Sequence, residues 1–333
     1  LLQGIVFNQI QEGRYLQVYI KSAESTLDIT LQQKKQININ NRKKNLKKNL
    51  VAYSFLLPNF LGFLIFTLIP VICAFILSFM EWDSANPMVF VGLRNFSKLL
   101  TDETFKISFW NTIYYSVASV PLTMILALLL AIILNNKIKG VGVFRAIYFF
   151  PYVTSLVAIA VVWNMLFHPT LGPINQFLMA IGFKNPPGWT SSVEWAMPAI
   201  IIVNIWRNAG YYMVMYLAGL QGIPRELYEA ATVDGANGWQ KFRKITIPML
   251  TPTTFFVSIM ITISCFKVFD LVQVMTDGGP GRATNVLVYH IYNQAFMNFK
   301  FGYSSAISMI LFAVVLIITI IQFQFEKKWV NYF

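Results

Sequence analysis

A chain of 333 residues that is 56% hydrophobic and 12% charged is not an ordinary soluble domain, where about 25% of residues carry charge. Apolar runs long enough to cross a bilayer recur along it, so it reads as an all-α polytopic membrane protein. The net charge of +12 gathers in the amino-terminal tail and in alternate loops, a pattern of membrane orientation that speaks against nucleic-acid binding.

Residues 1–50 are polar and form a tail distinct from the membrane-spanning part at 51–333. Leu16, Val18 and Ile20 alternate with Gln17, Tyr19 and Lys21, which suggests a strand, although a lone strand is not stable. Lys34, Lys35, Arg42, Lys43, Lys44, Lys47 and Lys48 then make a basic run suited to anionic headgroups on a cytoplasmic surface. No methionine precedes Met80, so either a non-methionine start codon or a tail that is made only in part is expected.

Six spans follow, near 51–80, 109–134, 145–167, 195–220, 249–275 and 303–325. The first is too long for a cleaved signal segment. Lysine and arginine are counted by side: the tail run, the loop with Lys137, Lys139 and Arg145, the loop with Arg225, Lys241, Arg243 and Lys244, and Lys327 and Lys328 total sixteen. The opposite loops hold six, namely Arg94, Lys98, Lys106, Lys184, Arg282 and Lys300. Both termini and the 221–248 loop are therefore expected in the cytoplasm. Outer loops at 81–108 and 168–194 carry Trp82 and Trp189, with Trp110 and Trp195 just beyond their ends, as interfacial belts do.

Catalytic chemistry finds little footing. Cys73 and Cys265 lie within apolar runs, and His168 and His290 lie in different loops, without metal-ligand spacing. The chain has no Gly-Lys pair and hence no phosphate loop of the Walker type. The candidate cavity has no paired carboxylates, so glycosidic hydrolysis is not expected.

The 221–248 loop is the most informative segment. Pro224 suits the first position of a helix, and Glu226 and Glu229 favour its positive end. Ala230 and Ala231 are strong helix formers that let a partner approach closely. Gly235 is placed to end that helix in a left-handed conformation. Asn237 and Gln240 have capping-box spacing for a second helix. Trp239, Phe242 and Ile245 recur along one face of it, and Pro248 closes the unit. The pattern predicts a helical hairpin whose apolar knobs need a socket.

Glu229-Ala230-Ala231, then Asp234-Gly235-Ala236, then Phe242, Ile245 and Pro248 resemble the EAA motif of ABC importer permeases. Phe266-Lys267-Val268-Phe269-Asp270, Met275 to Gly281, and Phe150-Pro151 after Arg145 resemble carbohydrate permeases of the maltose and glycerol-3-phosphate type. The resemblance covers about residues 55–330. It implies a six-helix, type I importer-like transmembrane domain, the first of two unlike permeases, lacking the large extra outer domain of enterobacterial maltose permease. It implies that the loop is a coupling-helix hairpin docking on a dimer of ATP-binding subunits, that ATP and magnesium bind there and no cofactor binds this chain, and that a second permease and an extracytoplasmic solute-binding protein complete the complex in the bilayer of a bacterial cell membrane.

Charged and polar residues within spans are costly and mark pathways or pairings. Asn204, Arg207, Asn208 and Tyr211 in the fourth span, and Lys267 and Asp270 in the fifth, are the candidates for a sugar route, Arg207 being also suited to a structural or inter-subunit role; Trp163 and Asn164 are weaker ones. Lys267 and Asp270 are three residues apart, which puts them on one helix face, where they could pair as an internal salt bridge that locks the bundle. Such a pair would also suit a rival class, a self-contained secondary carrier or channel coupled to ions, although no internal repeat of the kind found in such carriers is evident.

Overall fold

The computed structural model describes residues 48–136 and 139–330, together with Lys21, Lys34 and Lys35. The strand suggested near residue 18 and the run from Arg42 to Lys47 lie outside the described residues. The chain divides into two units, residues 1–72 and 73–333.

In the first unit the described chain is chiefly the early part of helix α1 (Lys48–Leu77), an apolar helix whose most apolar stretch has no buried residue. Side chains such as Phe55 and Phe66 point outward, which is stable against hydrocarbon and not against water. A π-helical turn at Leu64–Leu68 precedes Pro70, whose missing N–H disturbs the normal ladder.

The second unit holds the rest of the spans. After α1, the short strands β1 (Met80–Glu81) and β2 (Val89–Phe90) pair antiparallel. Then come α2 (Arg94–Thr101), α3 (Glu103–Asn135), α4 (Val141–Val153), α5 (Leu156–Leu166), α6 (Pro173–Ala180) and α7 (Ala196–Gln221). The hairpin helices α8 (Arg225–Val233) and α9 (Gly238–Met249) follow, then α10 (Thr251–Phe266), α11 (Asp270–Met275), α12 (Leu287–Tyr292) and α13 (Phe301–Trp329).

α3 and α7 form the centre. Thr112, Ser116, Ser119, Thr123, Ala127 and Ala131 are buried along α3 at three- and four-residue spacing. Such a stripe of small residues lets another backbone come close where no hydrophobic force favours one helix over lipid. α7 fills that space with Ile200, Val203, Met213 and Tyr216, all buried. On its other side Gly210 lies against α4 so tightly that a Cβ there would stand 1.8 Å from the Tyr148 carbonyl oxygen.

Among the described residues three helices, α1, α3 and α13, are long and apolar enough to cross a membrane, or up to five spans if each bent pair counts as one. The third expected span is such a pair. α4 and α5 meet at 97° because Pro151 weakens the last turn of α4 and Thr154 and Ser155 turn extended. The fifth is broken twice. α9 meets α10 at 61°, and α10 ends at Phe266, before Lys267. The fourth is one 26-residue helix, but Asn204, Arg207 and Asn208 lower its hydropathy, and it is buried among the others.

Candidate functional site

The hairpin forms as its turn residues dictate. α8 starts one residue later than expected: Pro224 is the N-cap, with ψ of 132° directing the chain into the helix at Arg225. At the far end Gly235 has φ of +77°, the left-handed region that only glycine enters cheaply. Ala236 N–H donates to the Ala231 carbonyl at 2.8 Å and Gly235 N–H to that of Thr232 at 3.1 Å, the paired bonds of a Schellman turn. Asn237 then caps α9 reciprocally with Gln240, at 2.9 and 2.8 Å.

Two further bonds fix the hairpin's shape. The Tyr228 and Thr246 hydroxyls meet at 2.9 Å, and the Lys241 ammonium donates to Thr232 Oγ1 at 2.7 Å. A π-helical turn at Phe242–Thr246 shifts the register of α9. Trp239, Phe242 and Ile245 therefore do not share one face as 3.6-residue spacing implied. Ile245 packs on the core, while Trp239 leans on Phe242 with ring centres 5.6 Å apart and remains 67% exposed. Val233, at the tip of α8, is 89% exposed.

Glu229, Ala230, Asp234 and Gly235 are exposed, whereas Ala231, Ala236, Phe242, Ile245 and Pro248 are half-buried. Between the two arms lies a concavity of about 370 Å³ lined by Ala231, Asp234, Gly235, Gln240, Lys241 and Lys244. At the hairpin's base Tyr228, Ile245 and Met249 pack on the apolar core to which Leu134 of α3, Leu220 of α7 and Val257 of α10 belong, beside a cleft of about 290 Å³ lined by Asn135, Asn136, Leu220, Tyr228 and Phe242. At that level Gly219 admits Thr253 of α10, whose Oγ1 lies 2.5 Å from where a Cβ would be. The hairpin thus packs on a core that three helices share.

The second cluster lies midway along α7. Asn208 donates to Asn204 Oδ1 at 2.7 Å and to its carbonyl at 2.9 Å, and both side chains are buried. Arg207 donates to the Tyr152 carbonyl at 3.2 Å, lies 5.1 Å over the Tyr152 ring, and reaches Asn208 Oδ1 at 3.4 Å. Tyr152 stacks on Tyr211 at 4.2 Å. Arg207 therefore satisfies a carbonyl left free where α4 ends, a structural duty whose partner the sequence did not name. Tyr211 and Tyr152 stay half-exposed and present aromatic faces at the α4–α5 bend.

Lys267 and Asp270 are not brought together. Lys267 caps α10, where the last N–H groups tighten onto Ser264 and Cys265 carbonyls, and Asp270 begins α11. Both are exposed, and no ion pair joins them among the described residues. The spacing argument required a continuous helix, and the helix stops between them. The ion-coupling pair of a self-contained carrier thus lacks its geometry. Asn164 instead donates to the carbonyls of Val274 and Met275 at 3.3 and 3.2 Å, closing α11.

The stretch after α11 is a tight turn held to α3. Gly278 has φ of +78°, and a Cβ on it would strike the Tyr289 ring. Asn111 donates to the Arg282 and Asn285 carbonyls, both at 3.0 Å. His290, expected in a loop, is in α12 and 2% exposed, 3.8 Å from Asp102. Asp102 caps α3 through the N–H groups of Thr104 and Phe105 and accepts from the Tyr303 hydroxyl. Asp102 followed by Glu103 was a readable cap signal; its partners, far along the chain, were not.

Comparison with known proteins accounts for this architecture. Residues 119–331 match the family described as binding-protein-dependent transport system inner membrane component. The chain belongs to that family. It is an ABC-importer permease subunit. It is 38% identical over 290 residues to the probable ABC transporter permease protein YesP of Bacillus subtilis, covering 86% of this chain and 93% of that one. It is 36% identical over 278 residues to the trehalose/maltose transport system permease protein MalF of Thermococcus litoralis, covering 82% and 92%. In fold it resembles a chain of a bacterial ABC transporter involved in the import of the acidic polysaccharide alginate, with a TM-score of 0.76 and 26% identity over 86% of this chain and 99% of that one. ABC permeases do not themselves catalyse a reaction, and family membership implies the usual architecture of permeases, ATPase and solute-binding protein. Among the described residues no group of three His, Cys, Asp or Glu could hold a metal ion.

Proposed function

We propose that this permease is one half of the translocation pathway of an ATP-driven carbohydrate importer, the first of two unlike permeases. The six expected spans correspond to α1, α3, the α4–α5 pair, α7, α10 and α13, with both termini and the α8–α9 hairpin in the cytoplasm. The hairpin is the coupling element. Glu229, Ala230, Ala231, Asp234, Gly235, Ala236, Phe242, Ile245 and Pro248 present or shape it, and it docks in a cleft on an ATP-binding subunit.

The observation that carries this reading is a hairpin with a fixed shape and an uncovered apolar tip. A Schellman turn, a capping box and two side-chain ties hold its form, yet Val233 and Trp239 have nothing over them. A rigid knob packed through Tyr228, Ile245 and Met249 on the core that α3 and α7 share is what a motor on another chain would need to move the spans. Closure of the ATP-bound dimer pulls the hairpin and turns the cavity outward. A loaded solute-binding protein then releases its sugar, and hydrolysis resets the bundle.

For the sugar route, Asn204, Asn208 and Tyr211 are proposed as polar and aromatic lining, with Tyr152 added. Arg207 holds the α4–α5 bend beside it. Lys267 and Asp270 act, if in the pathway, as separate exposed groups near the α10–α11 break. The test is to purify the assembled complex in lipid and measure ATP turnover with its binding protein loaded with different sugars. Stimulation by a loaded carbohydrate supports the reading; sugar uptake by this chain alone, without ATP, contradicts it.

A further inference from the structure

α3 is 33 residues long, about 50 Å at 1.5 Å per residue. The hairpin stands at its last turn. Beside its first turn is a cavity of about 470 Å³ bounded by β1, β2, α2 and the start of α13, with Trp82, Asn95, Lys98, Asn298, Lys300 and Tyr303 in its lining. No residue of α7 lines it, so it is not part of the polar centre described above.

The charges around this cavity are unevenly spent. Glu81 faces Arg94 at 3.5 Å. Asp83 is occupied by its own turn, accepting from the N–H groups of Ala85 and Asn86 and from the Asn86 amide. Lys98 and Lys300 have no carboxylate within ion-pair distance among the described residues. Lys98 is held over the Tyr303 ring with its ammonium 5.1 Å from the ring centre. Lys300 stands at the N-cap of α13, with no acidic residue in the first turn, although a helix start favours negative charge. Phe299 before it has φ of +55°, an uncommon conformation for an aromatic residue. Such local misfits concentrate at functional positions. Around the cavity Met88, Val89, Phe90 and Leu93 are exposed, giving an apolar surround to a charged centre.

We propose that this cavity receives a carboxylate side chain from the docking face of the extracytoplasmic solute-binding protein, clamped between Lys98 and Lys300 against Trp82 and Tyr303. The proposal rests on the importer reading, which puts the hairpin inside the cell and hence the opposite end of α3 outside. A free anionic sugar is a poorer occupant, because the cavity does not open on α7. Asp83, hydrogen-bonded only to neutral amides, keeps its charge at the rim, so the occupant's carboxylate is directed to the two ammonium groups that lack an ion-pair partner among the described residues, which would steer the approach and set the register of the docked protein.

The test uses the whole complex in nanodiscs, with ATP turnover followed against the concentration of loaded binding protein at low salt. The Lys98→Glu, Lys300→Glu double variant should raise the half-maximal concentration at least about tenfold while keeping maximal turnover, and added salt should narrow the gap. The Lys98→Arg, Lys300→Arg variant should behave as the parent, and reversing one acidic residue on the binding protein should rescue the glutamate variant. An unchanged half-maximal concentration in the glutamate variant, with its melting temperature preserved, overturns the proposal alone. So does a loss that follows the anionic-lipid content of the disc, which would assign the cavity to a headgroup. Failure of the loaded binding protein to stimulate the parent complex overturns the importer reading and the proposal with it.

Discussion

Replacing Gly235 with valine perturbs the hairpin and little else. The residue holds φ of +77°, and a Cβ built there meets nothing within 4 Å, so the cost is backbone strain and not a clash. Left-handed geometry costs an ordinary L-residue about 1–2 kcal/mol, and a β-branched residue lies at the upper end or beyond. The chain can relieve this strain only by turning away, which breaks the bonds from Ala236 to Ala231 and from Gly235 to Thr232. Strain of about 2 kcal/mol shifts the balance toward the opened turn by roughly 30-fold. The two helices would then no longer present Val233 and Trp239 at a fixed spacing. Uptake into proteoliposomes should fall to background, while membrane insertion, melting temperature and recruitment of the binding protein stay near those of the parent. Gly235→Asn, which tolerates this conformation, should retain most activity. Uptake at the parental rate by Gly235→Val would refute the reasoning.

Gly210→Ala should cost more than hairpin changes do, because its Cβ would lie 1.8 Å from the Tyr148 carbonyl; overpacking of about 1–3 kcal/mol should appear as a lowered melting temperature in detergent. Asn237→Ala removes the bond that Asn237 Oδ1 accepts from the Gln240 N–H while keeping the backbone donor to Gln240 Oε1, and should destabilise α9 by about 1 kcal/mol, read as faster amide exchange at 238–241 with the spans unchanged. Arg207→Gln should loosen the α4–α5 bend, increasing proteolysis or spin-label mobility near Thr154, and Arg207→Lys should restore little because the ring contact and carbonyl bond use the planar guanidinium. Burial lowers the His290 pKa from its ordinary 6.5, partly opposed by Asp102. Burial acts to raise the Asp102 pKa, but hydrogen bonds from Tyr303, Phe105 and Thr104 and the nearby His290 outweigh it and bring it below 3.8. Both groups are less readily protonated when folded, so each contributes stability above its unfolded pKa that is lost on acidification. Thermal stability should therefore fall as pH drops below about 6.5, the ordinary histidine value, and His290→Gln should flatten that upper limb; an unchanged pH profile would count against it.

The hairpin was legible because its determinants are local. Gly235, Asn237 and Gln240 act within a few residues, and their turn chemistry does not depend on what packs around them. What spacing could not give was the register beyond a break. Trp239 and Ile245 were assigned to one face on an unbroken 3.6-residue period, and the π-helical turn at Phe242–Thr246 separates them. Lys267 and Asp270 were paired on the same assumption, and α10 stops at Phe266. Hydropathy found the apolar runs, but it cannot distinguish a straight span from the 97° bend after Pro151, because composition is blind to direction. Arg207 was marked as costly within a span, and its duty at the end of α4 depends on Tyr152, 55 positions away. The grouping of Asp102, His290 and Tyr303 joins residues up to 201 positions apart, a distance over which a single sequence carries no contact signal.

The most direct test of the account is a cross-link at the hairpin tip. In a background with Cys73 and Cys265 replaced, a single cysteine at Val233 should join a cysteine in the cleft of the ATP-binding subunit within the assembled complex. The yield should change between nucleotide-free and ATP-bound states. Full assembly and ATP-driven uptake, with Val233 accessible to a membrane-impermeant thiol reagent from outside the cell and never cross-linked to the ATP-binding subunit, would contradict it.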